Sequence, residues 1–383
     1  MDFKLRPEHL AIQQKVREFC EREVMPRSAE FDKREEFPWD LVAGLKRLGL
    51  LGIIFPKKYG GQEMDTVSYC LILEELGRAD ASLALTVESH NSLCSNHIFL
   101  AGNEEQRMKY IPRLAKGEVL GAWALTEPGA GSDANSIQTI ADFDGKVWTL
   151  NGSKTFTTQG SVAGTYVLFA KNGAGAPGGP GLTAFVCEKG VPGLEVGKKE
   201  KKMGIRASDT AQLHLRNLKL GPEHVLGTPG KAFRDAMRVL DGGRVGISGI
   251  AIGIARGSLE EGVRWVKERK SDFEIGPEFP GLSGAGKILA DIATQVDAAR
   301  LLAHRAALLL DAGEKYSKEA SMAKLLSGDL AMSAPTAVLD LFGPYGGSMD
   351  CPVQRYFRDA KLYQIGEGSS QVQELILSRH LLS

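Results

Sequence analysis

The sequence predicts an α+β protein in three parts: an N-terminal helical domain, a central β-barrel-like domain and a C-terminal four-helix-bundle domain. Apolar residues recur at helical spacing over residues 1–118, and the spacing alternates as in strands over 119–227. Helical spacing then returns over 228–383. Since 383 residues are too many for one simple core, we expect these three segments to be separate domains.

Composition and charge exclude several classes of partner. Lys plus Arg and Asp plus Glu both number 47, so no net charge draws the chain to nucleic acid or to an anionic membrane. No apolar run approaches the length of a membrane span, and the first residues lack the apolar segment of a signal peptide. The five cysteines show no C-x-x-C spacing, which indicates a reducing compartment and no metal site. We expect a cytoplasmic protein, with a processed organellar form as the weaker alternative.

The first part of the chain contains four predicted helices. The first begins at Pro7 and should end at Pro26, and the second covers about 38–48. Asp65 is the expected N-cap of the third, which runs to about Gly77, and the fourth covers 83–100. The fourth helix carries polar residues on an apolar stretch, namely Glu88, His90, Asn91, Ser92 and His97. These could line a ligand pocket or be satisfied by neighbouring groups, and the pattern leaves both possibilities open.

Alternating residues predict strands in the central part. The segment 147–158 alternates on both sides of Asn151-Gly152, and this dipeptide predicts a β-hairpin turn. Further strands are expected at 166–170, 182–187, 194–197 and 211–215. The glycine-rich segment 172–181 should be a surface loop.

One long helix, from Ala232 to about Lys270, should open the last part of the chain. It carries a stripe of glycines at three- and four-residue spacing: Gly242, Gly243, Gly246, Gly249, Gly253 and Gly257. Because each costs a helix up to about 1 kcal/mol relative to alanine, we expect another backbone or a flat ligand to approach closely. Helices at about 285–312 and 317–341 follow, the second kinked at Pro335, and a final helix completes the bundle.

A carboxylate flanked by glycines precedes that final helix. Glu367 lies between Gly366 and Gly368, and Ser369 is positioned to cap the helix that follows. The partial positive charge of the helix end would favour an ionised Glu367, and burial would oppose it. From these residues alone, an ordinary acidic residue in a capping loop is favoured over a catalytic base.

A second conspicuous loop lies where the central part begins, at residues 123–133. Its glycines would let a ligand approach the backbone, and Thr126 and Ser132 supply hydroxyl groups. The loop lacks the strand, G-x-G-x-x-G and helix order of a dinucleotide site, and it isn't a P-loop.

Four motifs together resemble the acyl-CoA dehydrogenase family of flavoproteins: LTEPGAGSD at 125–133, KMGIRAS at 202–208, RDAK at 358–361 and IGEGSSQ at 365–371. The resemblance covers nearly the whole chain, and the order of helical, β and helical parts matches that family's fold. It implies FAD as cofactor and an enzyme of fatty acid β-oxidation that assembles as a homotetramer.

The resemblance implies that Glu367 removes the α-proton of an acyl-CoA while the β-carbon gives a hydride to flavin N5. The product would be the trans-2-enoyl-CoA, and an electron-transfer flavoprotein would take the electrons. Some family members place the base on the long helix, where this chain has Gly243. Two alternatives stay open: an acyl-CoA oxidase, and a non-catalytic homologue that binds flavin or acyl-CoA.

Other site residues follow from the resemblance alone. Those expected to bind the flavin are Trp123, Leu125, Thr126, Ser132, Phe156, Thr157, Thr158, Arg269, Ser369 and Gln371. Those expected to bind the coenzyme A substrate are Ser132, Asp241, Arg244, Gly368 and Arg379. In this family the residue that matches Arg269 often comes from a neighbouring subunit.

The chain departs from the family pattern in three places. The segment 271–284 lacks the usual aromatic-glutamine pair, Asp340 to Pro344 replace a glycine-rich stretch, and Gly366 replaces a frequent tyrosine beside the base. The glycine should leave extra room near the substrate α-carbon. The polar set around Glu88 favours short or branched acyl chains.

Overall fold

The computed structural model describes residues 4–269 and 284–383. Helices occupy the first part of the chain: α1 Pro7–Phe19, α2 Met25–Arg34, α3 Trp39–Arg47, α4 Thr66–Ala79, α5 Ala81–Glu88, α6 Asn96–Ala101 and α7 Glu104–Ala115. Asp65 caps α4 as predicted, since its side chain accepts a hydrogen bond from the Ser68 amide at 2.8 Å. None of the described helices is both long and apolar enough to cross a membrane.

The prediction that Pro26 ends the first helix is wrong. A π-helical turn, Cys20–Val24, follows α1, and α2 continues directly from it with Pro26 in its first turn. The π-helical turn, in which the Met25 amide bonds back to the Cys20 carbonyl, accommodates Pro26, which has no N–H to donate. A second π-helical turn, Ser89–Ser95, separates α5 from α6 within the predicted fourth helix.

One eight-stranded sheet forms the central part. Its strands are β1 Gly121–Ala124, β2 Ile140–Phe143, β3 Trp148–Thr158, β4 Thr165–Asn172, β5 Leu182–Glu188, β6 Leu194–Lys199, β7 Thr210–Leu220 and β8 Val225–Leu226. Seven follow the order β6-β7-β3-β2-β4-β5-β8, and β1 pairs with β4 in parallel. The predicted strands after residue 158 are all present, and the 172–181 segment connects β4 to β5.

The predicted hairpin at Asn151-Gly152 is wrong, because both residues lie inside the continuous strand β3. The dipeptide makes a register shift against β7 instead, where the Asn217 amide donates to the Asn151 side chain at 2.8 Å. The hairpin turn lies earlier, between β2 and β3, where the Asp144 carboxylate accepts hydrogen bonds from two backbone amides and Gly145 has φ 97°. Pairing with β2 and β7 on both sides therefore decides the path of β3.

The bundle contains α8 Ala232–Glu268, α9 Gly284–Asp311, α10 Ser317–Leu341, α11 Val353–Ile365 and α12 Ser370–Leu382. Glycines of α8 lie against the backbone of α4. A Cβ at Gly253 would lie 2.3 Å from the Glu74 carbonyl oxygen, and one at Gly249 would lie 2.9 Å from the Cys70 carbonyl oxygen. Of the two explanations for the glycine stripe, close approach of another backbone is correct at these positions.

Replacing Gly253 by alanine should lower the free energy of unfolding by about 1–3 kcal/mol, since the added methyl group meets backbone that cannot rotate away. Gly242 on the same helix is the matched control. A Cβ there meets its nearest atom at 3.8 Å, so alanine should stabilise by up to about 1 kcal/mol through helix propensity. Urea unfolding of both variants measures the difference, and equal effects would contradict this account of the packing.

Candidate active site

Glu367 lies in the left-handed region between two helices of the bundle. Its φ is 53° and that of Gly368 is 95°, so the chain reverses between α11 and α12. Ser369 caps α12, as predicted, by accepting a hydrogen bond from the Val372 amide. The residue as a whole is half-buried, but both carboxylate oxygens are buried and have no hydrogen-bond partner among the residues that the structure describes. An ionisable group kept in this state is unusual, because burial without partners is costly.

The Glu367 carboxylate lies against the glycine stripe of α8. A Cβ at Gly243 would lie 2.2 Å from Glu367 Oε2, so glycine there leaves room for the carboxylate. One turn further along α8, a Cβ at Gly246 would lie 3.2 Å from Glu88 Cγ. Two acidic side chains from distant parts of the sequence therefore face the same helix. No local pattern in the sequence predicts either approach.

Burial decides the competition that the sequence left open at Glu367. It raises the pKa of Glu367, opposed by the neighbouring Glu88 carboxyl group and by the charges of Arg244 and Lys324. Burial also raises the pKa of Glu88 well above its usual range, and the charge of Glu367 adds to that effect. Both carboxyl groups of the pair therefore resist ionisation, Glu88 the more strongly, and Glu367 is the candidate base.

Replacing Glu88 by glutamine should raise the free energy of unfolding, and the gain should grow with pH. The folded enzyme keeps the Glu88 proton above pH 4.5, where an ordinary carboxyl in the unfolded chain loses it. The contribution of Glu88 to the free energy of unfolding of the wild type thus falls as pH rises, by at most about 1.4 kcal/mol per pH unit, until Glu88 itself ionises. Glutamine does not titrate. Urea unfolding from about pH 5 to about pH 8 measures the difference.

The exposed Glu104 is the matched control for that experiment. Hydrogen bonds from Tyr59 and Lys58 lower the pKa of Glu104, so Glu104→Gln should give no such gain. A Glu88→Gln advantage that stays constant over the pH range would show that Glu88 is ionised in the folded enzyme.

Of the other polar residues around Glu88, two bond to the protein backbone and one bonds to the Glu88 carboxyl group. Asn91 accepts a hydrogen bond from the Ile53 amide at 3.1 Å and donates to two carbonyl groups, and His90 bonds to backbone groups of three segments. Both are satisfied by neighbours, so the structural alternative is correct for them. Ser92 differs, since its hydroxyl donates to the Glu88 carboxyl group.

A buried ion pair connects the 123–133 loop to β3. Lys154 Nζ lies 2.7 Å from Glu127 Oε1 and also donates to the Leu125 carbonyl at 3.3 Å, and both charged side chains are buried. The Thr155 amide donates to the Thr126 carbonyl at 3.0 Å. The structure thus brings Leu125 and Thr126 next to the 156–158 segment. Sequence reasoning missed Glu127 and Lys154, although both lie inside the segments that it singled out.

The residues of this region fit a large flat ligand. The Phe156 side chain is 64% exposed and its φ is 51°, which is rare for an aromatic residue. The Thr157 hydroxyl is buried without a hydrogen-bond partner. No atom lies within 4 Å of a Cβ built at Gly129 or Gly131. An exposed ring, an unpaired hydroxyl and accessible backbone are the groups that would contact an isoalloxazine ring.

One contact brings that region close to Glu88, and another joins the start of the 123–133 loop to His97. Gln159, next to Thr158, donates from its side chain to the Thr86 carbonyl at 2.9 Å, two residues before Glu88. The Trp123 indole packs edge-on against Phe169, with centroids 4.9 Å apart, and its N–H lies 3.5 Å from His97 Nδ1. Burial lowers the pKa of His97 to about 3, so the imidazole is neutral and can accept.

Asp241 and Arg244 form an ion pair one turn apart on α8, on the side of Glu367. The Ser317 hydroxyl donates to the same Asp241 carboxylate at 3.1 Å, and Arg244 Nε is buried without a partner. These two predicted substrate residues are therefore adjacent. Ser132 and Arg379 are exposed.

A cavity of about 300 Å³ lies beside the start of α12, and Ser369 and Gln371 are among its lining residues. Arg269 lies elsewhere. Its guanidinium stacks on the Trp265 ring at 3.4 Å, just past the end of α8. Arg269 lies 25 positions after Arg244 in the sequence, which at the rise of an α-helix is about 37 Å. Arg269 therefore lies far from the predicted substrate residue Arg244. The segment 271–284, which departs from the family pattern, lies outside the described residues except for Gly284.

The three-part fold, the buried Glu367 carboxylate and the exposed Phe156 ring are what a flavin-dependent oxidoreductase requires. The chain belongs to the acyl-CoA dehydrogenase family, whose N-terminal, middle and C-terminal domain models match residues 6–118, 122–218 and 230–382. It is 43% identical over 378 residues to the short-chain specific acyl-CoA dehydrogenase of Clostridium acetobutylicum, covering 99% of each chain.

Similarity to solved structures supports the same family. Butyryl-CoA dehydrogenase from Megasphaera elsdenii has a TM-score of 0.94 at 38% identity, with full coverage of both chains. A chain from the structure describing the electron transferring flavoprotein of Acidaminococcus fermentans has a TM-score of 0.94 at 41% identity, also with full coverage of both. An acyl-CoA dehydrogenase from Bacillus anthracis, complexed with FAD, has a TM-score of 0.89 at 29% identity and covers 99% of this chain and 67% of its own. The predicted family, fold and enzyme class are confirmed, and the FAD complex agrees with the predicted cofactor.

Proposed function

We propose that this acyl-CoA dehydrogenase converts short-chain acyl-CoA to trans-2-enoyl-CoA with Glu367 as the base and FAD as cofactor. The observation that carries the proposal is the Glu367 carboxylate, buried without a hydrogen-bond partner and facing the glycine at position 243. The similarity to the short-chain specific enzyme of C. acetobutylicum supports the substrate class. The flavin and coenzyme A contacts that the family resemblance implies belong to the same proposal, as do the domain boundaries at 118/119 and 227/228.

In the proposed reaction the α-proton passes to a Glu367 carboxylate oxygen. The Glu367 backbone N–H donates to the thioester carbonyl, which stabilises the charge that develops there. Burial raises the pKa of Glu367 above that of an ordinary glutamate, which strengthens it as a base. Bound FAD supplies an acceptor for the hydride that leaves the β-carbon.

Chain-length preference tests the substrate class. Butyryl-CoA should bleach the flavin faster than octanoyl-CoA, and palmitoyl-CoA should be slowest. A Cβ at Gly366 would meet only Leu362, at 3.4 Å or more, so packing does not require glycine there. We infer that Gly366 enlarges the space beside the α-carbon. Fastest bleaching with palmitoyl-CoA would contradict the short-chain proposal.

We infer that an electron-transfer flavoprotein accepts the electrons, supported by the similarity to the A. fermentans chain. The alternative is an acyl-CoA oxidase. Adding acyl-CoA in air distinguishes them, because an oxidase would form peroxide rapidly while a dehydrogenase would stay reduced until an electron-transfer flavoprotein is added.

We also propose a homotetramer in the cytoplasm that serves fatty acid β-oxidation. The separation of Arg269 from Arg244 along α8 agrees with this proposal, since the family resemblance implies that a neighbouring copy often supplies this arginine. Leu301 and Leu308, seven residues apart on α9, are both at least 50% exposed, which supports an interface along that helix. Light scattering coupled to size-exclusion chromatography measures the assembly, and a monomer that retains FAD would contradict the proposal.

A further inference from the structure

Lys324, on α10, is buried beside the turn that carries Glu367. The side chain has no exposed surface, and Nζ donates to the Gly368 carbonyl at 2.6 Å. Gln373, also fully buried, donates to the same carbonyl at 2.9 Å. Lysine is rarely buried in this way unless its charge has a partner. Packing alone could be achieved by an apolar residue such as methionine.

The two donors fix the conformation of the turn. Glu367 and Gly368 are consecutive residues with positive φ, a conformation that a glutamate adopts only when its surroundings impose it. A Cβ at Gly368 would lie 2.6 Å from Gln373 Nε2, so only glycine fits beneath the Gln373 amide. The hydrogen bonds from Lys324 and Gln373 therefore restrain the residue directly after Glu367 and, through the backbone, the direction of the Glu367 side chain.

The charge of Lys324 also acts on Glu367. Burial lowers the pKa of Lys324 to about 8, opposed first by the Glu367 carboxylate, so the amine is mostly protonated at neutral pH. The groups around Glu367 come from several helices: Glu88 from α5, Arg244 from α8, Lys324 from α10, Tyr69 from α4 and Tyr363 from α11. Arg244 and Asp329 also act on Lys324. Arg244 is paired with Asp241, whereas the hydrogen bond of Lys324 goes to a neutral carbonyl.

We propose that Lys324 is a positioning residue for Glu367, fixing the turn that carries the base and supplying the positive charge that favours its ionised form. The inference rests on the proposed role of Glu367 as the base. It predicts two separable effects, since Lys324 provides both a hydrogen bond and a charge, while Gln373 provides only a hydrogen bond to the same carbonyl.

The test compares Lys324→Met with Gln373→Leu in the FAD-loaded enzyme. The rate of flavin bleaching by butyryl-CoA is measured as a function of pH. Both variants should bleach about tenfold to a hundredfold more slowly at neutral pH, because the base is misplaced. In Lys324→Met the acid limb of the profile should also move to higher pH, since Glu367 without the nearby cation holds its proton more tightly. In Gln373→Leu the limb should stay in place.

Two further variants complete the comparison. Lys324→Gln keeps a donor and loses the charge, so it should shift the limb with a smaller loss of rate, and it serves if Lys324→Met does not fold. Lys287→Met removes an exposed lysine on α9 and should leave the profile unchanged. An acid limb at the wild-type position in both Lys324 variants would overturn the inference.

Failure of the inference and failure of the proposed function are distinguishable. If Glu367→Gln abolishes bleaching while the Lys324 variants keep the wild-type limb, only the role of Lys324 is wrong. If Glu367→Gln bleaches at the wild-type rate, Glu367 is not the base and the proposed function fails first.

Discussion

Replacing Glu367 by glutamine should slow flavin bleaching by butyryl-CoA about 10²- to 10⁴-fold, the range that a positioned general base contributes. Glutamine has nearly the same shape and cannot accept the α-proton. The loss should occur without loss of stability, because burial raises the pKa of Glu367 and the neutral side chain avoids that penalty. Stopped-flow absorbance measures the rate, and urea unfolding measures stability.

Two controls make this result specific to the carboxylate. The visible absorbance of the variant should match that of the wild type, which shows that FAD is retained. Glu367→Asp keeps the carboxylate but shortens the side chain, so its rate should be intermediate. If the glutamine and aspartate variants lose the same rate and both lose flavin, the residue supports cofactor binding and is not the base.

The sequence predicts the identity of the candidate base better than it predicts the base's surroundings. Gly366, Gly368 and Ser369 are neighbours of Glu367 in the chain, so capping and left-handed backbone at this point could be inferred locally. Glu88 lies 279 positions earlier in the sequence, and no local pattern relates the two. Their approach depends on how α5 and α11 pack against α8, which is a property of the tertiary structure.

The wrong predictions have the same origin. Pro26 and Asn151-Gly152 are local signals for a helix end and a hairpin, and both are overridden by neighbouring segments. A π-helical turn accommodates the proline, and strands on both sides of β3 carry the chain straight through the dipeptide. Local propensity predicts well where a segment is solvated and poorly where tertiary contacts are dense on both sides.

The buried Lys154–Glu127 pair is the contact missed by sequence reasoning with the largest expected effect on stability. Lys154→Met should lower the free energy of unfolding by about 3–5 kcal/mol, because it leaves the Glu127 carboxylate buried without its cation. The backbone amides of Gln138 and Thr139 still donate to that carboxylate. The 123–133 loop should therefore stay folded in the variant. Urea unfolding of the wild type and the variant measures the change.

The same substitution should release flavin, because the ion pair joins the loop of Thr126 to the strand of Phe156. The double variant Glu127→Gln/Lys154→Met removes both charges and leaves no unpaired ion. It should therefore be more stable than Lys154→Met alone, and a double-mutant cycle that also includes Glu127→Gln and the wild type gives the coupling energy. Equal destabilisation in both would mean that the lysine contributes packing only. Flavin retained at the wild-type level in Lys154→Met would show that the flavin-binding surface forms without this connection.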